Sequence, residues 1–419
     1  MTIKHFIVFI IVFIVLLGLK GCKTQKSLSH QELNYLYDET KFQLNPEYLV
    51  FHHSEAASTL FYKINPDELL YEQTSEGKPH KANYRIKYNI FSSFDSGVLI
   101  DSSSVDFTDT LLYKSDLKLI DSLIVDIPPA ANFIMQVKMF DLNSQAQSTN
   151  LLEINKFDAH NFQYYKVYDE NEVLQFLPKL PKSGEYTLQY SEDISKEAYI
   201  RIYSGEQSVA APPFAEELQP INEIKADTVF QINFENGVAT LPVELTGLYN
   251  LNHNNNEVVG GTSMYYYHEG FPYLVEEAQK LPPLRYLTTG EELETLKAHP
   301  DAADAVDIFW TAMAGTQLRG EKAIDSYYNN VQKSNKFFTT WKQGWKTDRG
   351  MIYSVFGQPD RIYKDDYSEK WTYRDSWHMP VTEFYFEKTE APLGKTCYEL
   401  IRKPEYKNPW FQVVDKIRR

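Results

Sequence analysis

Asp348 and Arg349 stand side by side between a predicted long helix and the last predicted strands, and they are the best candidates for a functional polar cluster. If the following sheet folds back suitably, Asp375, His378 or Glu383 would come close, and such a cluster could bind a ligand or support hydrolysis. A helix-capping Asp with an Arg paired to it accounts for the same residues structurally, and that reading is preferred. The common catalytic and ligand-binding signatures are absent: there is no His-Glu-x-x-His, Gly-x-Ser-x-Gly, Gly-x-x-x-x-Gly-Lys or Gly-x-Gly-x-x-Gly. No enzyme activity, metal or cofactor is therefore expected. His52 and His53 are neighbours on a predicted strand, so their side chains leave on opposite faces and cannot share a metal. Asp365, Asp366 and Glu369, near Tyr363, lack the spacing of a calcium loop and read as a solvated hairpin turn. Trp371, Tyr373, Trp377 and Tyr385 could form a sugar-stacking platform, but alternation on strands favours core positions. Cys397, in a strand-like run, reads as a small buried residue rather than a nucleophile.

Cys22 is the second residue with a chemical reading. Lys4 and His5 precede an apolar run at 6–17 that is too short and too early for a membrane span and reads as the core of a secretory signal. Leu19, Lys20, Gly21 and Cys22 follow, with a hydrophobic residue three before the cysteine and a small one directly before it, which resembles the lipobox of bacterial lipoproteins. The resemblance implies cleavage after residue 21 and a diacylglyceryl group on the Cys22 thiol, with Lys20 departing from the usual small residue. Cys397 would then have no disulfide partner. Residues 22–45 are polar and weakly helical around Glu32 to Tyr37, and are expected to be a tether that lifts the body off a lipid surface.

The elements that would position these residues divide the chain into three. Short runs at 48–52, 59–63, 84–90, 97–100, 119–125, 132–140 and 150–154, several strictly alternating, predict an antiparallel β-sandwich over 46–156. A second series at 162–165, 184–190, 198–203, 228–234, 237–241, 247–251 and 261–267 predicts a second sandwich over 157–268, with Asn236-Gly237 turning a hairpin. Pro212-Pro213 and Pro220 mark a loop within it, and 252–257 an exposed tip. Beyond Glu269 the apolar period changes from two to 3.6. Helices are expected after Thr288-Thr289, after Pro300-Asp301 and from Gly320 to Trp341, and strands at 371–373, 381–386 and 396–401. The fold class is multidomain: two antiparallel β-sandwich domains, then a C-terminal α+β domain over 269–419 with helices packed on a small antiparallel sheet.

Within that last unit, Thr347 or Asp348 can cap a short helix whose apolar face is Met351, Ile352, Val355 and Phe356. Gly357 can end it in the left-handed conformation, Pro359 prevents continuation, and Trp345 packs over the helix start. Gly344, Trp345, Thr347 and Asp348, extended by Arg349, Gly350, Gly357 and Pro359, make this segment resemble the GWxTD domain family. That resemblance implies an envelope lipoprotein with a β-rich region before the domain, and attaches no reaction. Gly357, Pro359, Trp371 and Tyr373 carry a weaker resemblance to the small lipoprotein of the outer-membrane β-barrel assembly machine, which is a fold analogy and transfers no activity.

The composition is compatible with this. The 419 residues carry a formal charge of −15, which disfavours general nucleic-acid binding, and 30 Tyr and 25 Phe suit half-buried strands. The expectation is a non-catalytic protein-interaction scaffold, held to the outer membrane through a lipid on Cys22, with envelope protein partners. A role in outer-membrane assembly or secretion would suit it. Residues after Cys22 lack an acidic cluster resembling surface-export signals, which favours the periplasmic face. The alternatives are a glycan- or peptidoglycan-binding lipoprotein and, third, a hydrolase around Asp348 and Arg349.

Overall fold

The computed structural model describes residues 27–418 apart from 54–56, 74–77, 112–117, 159, 177, 193–195, 217–224, 255–259, 314–316, 375–380, 391–392 and 394–395. The apolar run 6–17, Cys22, Pro220, residues 255–257 of the expected tip, Asp375, Trp377 and His378 lie outside the described residues.

Two sheets form the first β unit. One holds β1 (Glu47–His52), β2 (Ala57–Ile64) and β6 (Leu119–Asp126) in the order β1-β2-β6. The other runs β3 (Glu72–Gln73), β4 (His80–Phe91), β7 (Asn132–Asp141), β8 (Gln147–Asn155), with β5 (Leu99–Leu111) on the far side of β4. Along β4 the pleat sends Ala82, Tyr84, Ile86, Tyr88 and Ile90 inward to meet Val50, Leu60, Tyr62 and Val125 of the facing sheet. Each fully buried side chain of this size contributes about 1.5–3 kcal/mol. Arg85 points the other way and pairs with Asp106 of β5 across the wet face. The strand expected at 97–100 is the start of this thirteen-residue β5, in which the serines at 102–104 separate that start from Val105 and Phe107, the alternating residues that pack on the core.

The second β unit also has two sheets: β9 (Tyr165–Tyr168), β10 (Gly184–Tyr190) and β13 (Val238–Val243) in the order β13-β10-β9, and β11 (Lys196–Tyr203), β12 (Thr228–Phe234), β14 (Gly247–Asn252) and β15 (Thr262–Tyr266) in the order β12-β11-β14-β15. Asn236 and Gly237 do turn the chain, at φ of 50° and 73°, but the expected hairpin is corrected. Beyond one bridge between Glu235 and Val238, β12 pairs with β11 and β13 with β10, so the turn carries the chain from one sheet to the other. The two β units also share an element, because Leu49 of β1 is buried in the core of the second unit while Val50 beside it enters the first.

The C-terminal unit has α1 (Gly290–Lys297), α2 (Ala302–Met313), α3 (Gln317–Phe338), α4 (Asp348–Phe356) and α5 (Lys407–Arg418) with an antiparallel meander of β16 (Arg361–Lys364), β17 (Ser368–Tyr373), β18 (Thr382–Glu390) and β19 (Thr396–Leu400). Thr289 caps α1 in a reciprocal box with Glu292, as the Thr-x-x-Glu spacing dictates. Ile362, Trp371, Phe384 and Phe386 of the sheet are fully buried in one core with Val331 and Phe338 of α3 and Met351 and Ile352 of α4.

Residues 27–45 are not a free tether. Leu28 and Leu33 are fully buried and Tyr37 nearly so in the core of the C-terminal unit, where Leu33 N–H donates to Ile362 O at 2.9 Å and Tyr353 donates to Tyr37 O at 3.0 Å. This strap closes its end by burying Leu44 in the first β unit, so it spans two cores.

Candidate functional site

The turn that precedes α4 is built by close approach. Gly344 begins a 3-10 turn at Gly344–Lys346, and a Cβ there would lie 1.9 Å from Ser334 O on α3. A Cβ on Gly350 would lie 1.8 Å from Gly344 O. Both glycines are therefore required by contact between α3, the turn and α4. Thr347 is the cap: its hydroxyl accepts from Gly350 N–H at 3.0 Å and donates to Gly344 O at 2.7 Å. Trp345 is buried, with its indole N–H on Gln343 Oε1 at 2.8 Å and its carbonyl accepting from Tyr286 at 2.9 Å. Gly357 ends α4 at φ 75° and accepts the Tyr373 hydroxyl on its carbonyl at 2.8 Å; Pro359 is buried two residues on.

Asp348 and Arg349 part company, which corrects the expected pair. Successive helical residues diverge by about 100°, so the two side chains leave α4 in different directions. Asp348 is held by Arg402 in a two-pronged bridge at 2.7 and 3.0 Å and accepts Leu400 N–H at 2.8 Å. Arg402 donates in turn to Ala211 O of the second β unit at 3.1 Å. Arg349 is buried, and one nitrogen donates to Glu369 and to the Tyr37 hydroxyl, both at 3.1 Å, with the guanidinium 4.2 Å from the Tyr398 ring centroid. Glu369 has no exposed surface, so its reading as part of a solvated turn is corrected; its other oxygen accepts the Trp371 indole at 2.7 Å. Glu369 shares the inward face of β17 with Trp371, and a period of two could have placed it there. Arg402, Tyr37 and Tyr398 lie far along the chain and carry no local signal.

Glu383 lies on the opposite face of the sheet, bonded to Tyr385, Lys370 and Thr372, so it does not join Asp348. Trp371 is fully buried among Tyr37, Phe338, Tyr353 and Phe386, and Tyr373 packs on Phe356 and Phe384, so these two form core and no exposed platform. Asp365 folds its turn by accepting from Tyr367 and Ser368, and Asp366 accepts Phe94 N–H at 2.8 Å. His52 is buried on Ser58 and Gln163, while His53 reaches Thr59. Burial pushes the Cys397 thiol up, away from nucleophilic character. Among the described residues, no three His, Cys, Asp or Glu side chains are grouped to hold a metal.

A cleft of about 280 Å³ lies on the other side of Trp345, between the loop after β11 and the C-terminal helices. Arg285, Lys297, Lys346, Gln343 and Glu206 bring polar groups to its wall. Burial pushes the Lys346 ammonium down, with Lys342 and Arg285 adding repulsion and Glu206 opposing them. Among the described residues, neither Arg285 nor Lys346 has a side-chain acceptor within bonding distance. Donors without acceptors suit an anion.

Residues 247–419 match the GWxTD domain family. The match begins at β14, and Leu248, Tyr265 and Tyr267 share a core with Phe271 and Leu393 as well as with Tyr203 of β11. No curated protein matches the chain.

Proposed function

We propose, for a chain whose residues 247–419 match the GWxTD domain family, the role of a lipid-anchored envelope scaffold that presents its β units to protein partners and catalyses no reaction. The observation that supports it is how the motif spends its polar groups. Asp348 reaches the second β unit through Arg402, and Arg349 holds the strap through Tyr37. Lys364 reaches the first β unit at Glu153, 2.9 Å away. These contacts tie three units into one body, which is what a scaffold requires. The lipobox-like segment ending at Cys22 supports anchoring to the outer membrane, periplasm-facing. The test is mild-detergent co-purification of the tagged full-length chain from its native envelope, quantified by mass spectrometry against Cys22→Ser. A stoichiometric envelope partner retained only by the unsubstituted chain is expected; a clean monomer in both samples overturns the scaffold.

The cleft beside Trp345 favours a second reading, binding of a carboxylate-bearing glycan such as a peptidoglycan fragment. Arg285 and Lys346 would take the carboxylate. Calorimetric titration with soluble muropeptides is expected to release heat that Arg285→Ala with Lys346→Ala abolishes, whereas equal heats for both proteins would exclude the cleft.

A further inference from the structure

Because the strap is docked, little chain is left between Cys22 and the folded body. The described chain begins at Ser27, and Leu28, fully buried, and Ser29, whose N–H donates to Phe94 O at 3.0 Å, fix its position at the loop between β4 and β5. Five residues span at most about 18 Å when fully extended. The same loop is joined to the tip between β16 and β17, since Asp366 accepts Phe94 N–H at 2.8 Å. These two tips expose apolar side chains where the chain arrives: Val98 is 59% exposed, Leu99 42% and Tyr367 79%. Tyrosine, apolar in the ring and polar at the hydroxyl, suits the boundary between headgroups and acyl chains.

We propose that this face, the β4–β5 loop and the Asp365–Ser368 turn beside Ser27, lies against the lipid surface, with zwitterionic headgroups as its occupant. The inference rests on the reading that Cys22 carries lipid. The short reach from that anchor selects this face over the other exposed apolar positions. The net charge of −15 opposes an anionic surface and leaves the neutral one. The C-terminal unit is then held at the bilayer, rather than lifted away from it.

The test places a fluorophore on single cysteines at Val98→Cys, Tyr367→Cys and, as control in the second β unit, Val229→Cys, each in full-length lipidated chain with Cys397→Ala. The proteins are reconstituted in phosphatidylcholine vesicles containing a nitroxide-labelled lipid. Fluorescence loss at positions 98 and 367, with 229 unchanged, is the expected result. Equal quenching at all three, or none at any, overturns the docking face if mass spectrometry of the same sample finds diacylglycerol on Cys22. Absence of that lipid overturns the anchoring reading, and this inference with it.

Discussion

Gly350 has no room for a side chain, and this makes the motif's glycines testable apart from any function. Gly350→Ala would press a methyl group into Gly344 O, at a cost of about 3 kcal/mol or more. Gly290→Ala meets nothing within 4 Å and should leave stability unchanged or raise it by up to about 1 kcal/mol. Denaturant midpoints of the two variants check this; equal midpoints would mean that close approach does not explain the motif glycine. The buried ion pair gives a second residue-level prediction. Glu369→Gln keeps an acceptor for Trp371 but leaves Arg349 as an uncompensated buried charge, costing about 3–5 kcal/mol. Adding Arg349→Met should recover part of that loss, and a double-mutant cycle with strictly additive energies would contradict the pairing. A ligand-binding role for Arg349 would instead predict near-native stability with lost binding.

At the scale of elements, what could be read in the chain divides by how local the cause is. The Thr289 box, the Thr347 cap and the Gly357 stop are set by residues within one turn, and each forms where the spacing places it. The Asn236-Gly237 turn was equally legible, but which sheet each flanking strand joins depends on distant partners. Only the start of β5 is legible, because one of its faces is wet and serines at 102–104 interrupt its apolar residues. The docking of the strap is not legible, because Leu28, Leu33 and Tyr37 are too few to define an apolar face and their partners lie some three hundred positions away. Leu28, Leu33 and Tyr37 together contribute of the order of 5 kcal/mol by burial, comparable to the net stability of a whole domain. A chain starting at residue 46 should therefore lose cooperative unfolding of the C-terminal unit, seen by circular dichroism, and a peptide of residues 27–45 added in trans should restore it. Unchanged cooperativity without the peptide would reduce the strap to an ornament of the fold.

At the scale of the whole molecule, two titratable groups sit at the two junctions of the first β unit, and acid should open them in sequence. His52, in β1, meets Gln163 just before the second unit's first strand; Gln163 Oε1 also accepts Asn155 N–H, so the imidazole must donate there through Nε2 and accept from Ser58 through Nδ1. Burial, with the Lys156 charge nearby, pushes His52 down to about 4. The unfolded chain binds the proton more readily, so the stability that neutral His52 contributes, up to about 3 kcal/mol, is present above pH 6.5 and is lost as the pH falls toward 4. Glu153, in β8, is held by Lys364 and, despite the cost of its burial, by Lys388, which carry it down to about 2. Its contribution is present above the unfolded value near 4.5 and is lost as the pH falls toward 2. The carboxylate is partly exposed, so the effect is smaller than that of His52. Hydrogen exchange followed across pH 7 to 2 should therefore show β1 and the 162–164 turn losing protection first, and β8 with β16 later. His52→Gln should flatten the upper window alone and Glu153→Gln the lower one alone. If either substitution flattens both windows, the two junctions open as a single cooperative event and the units behave as one.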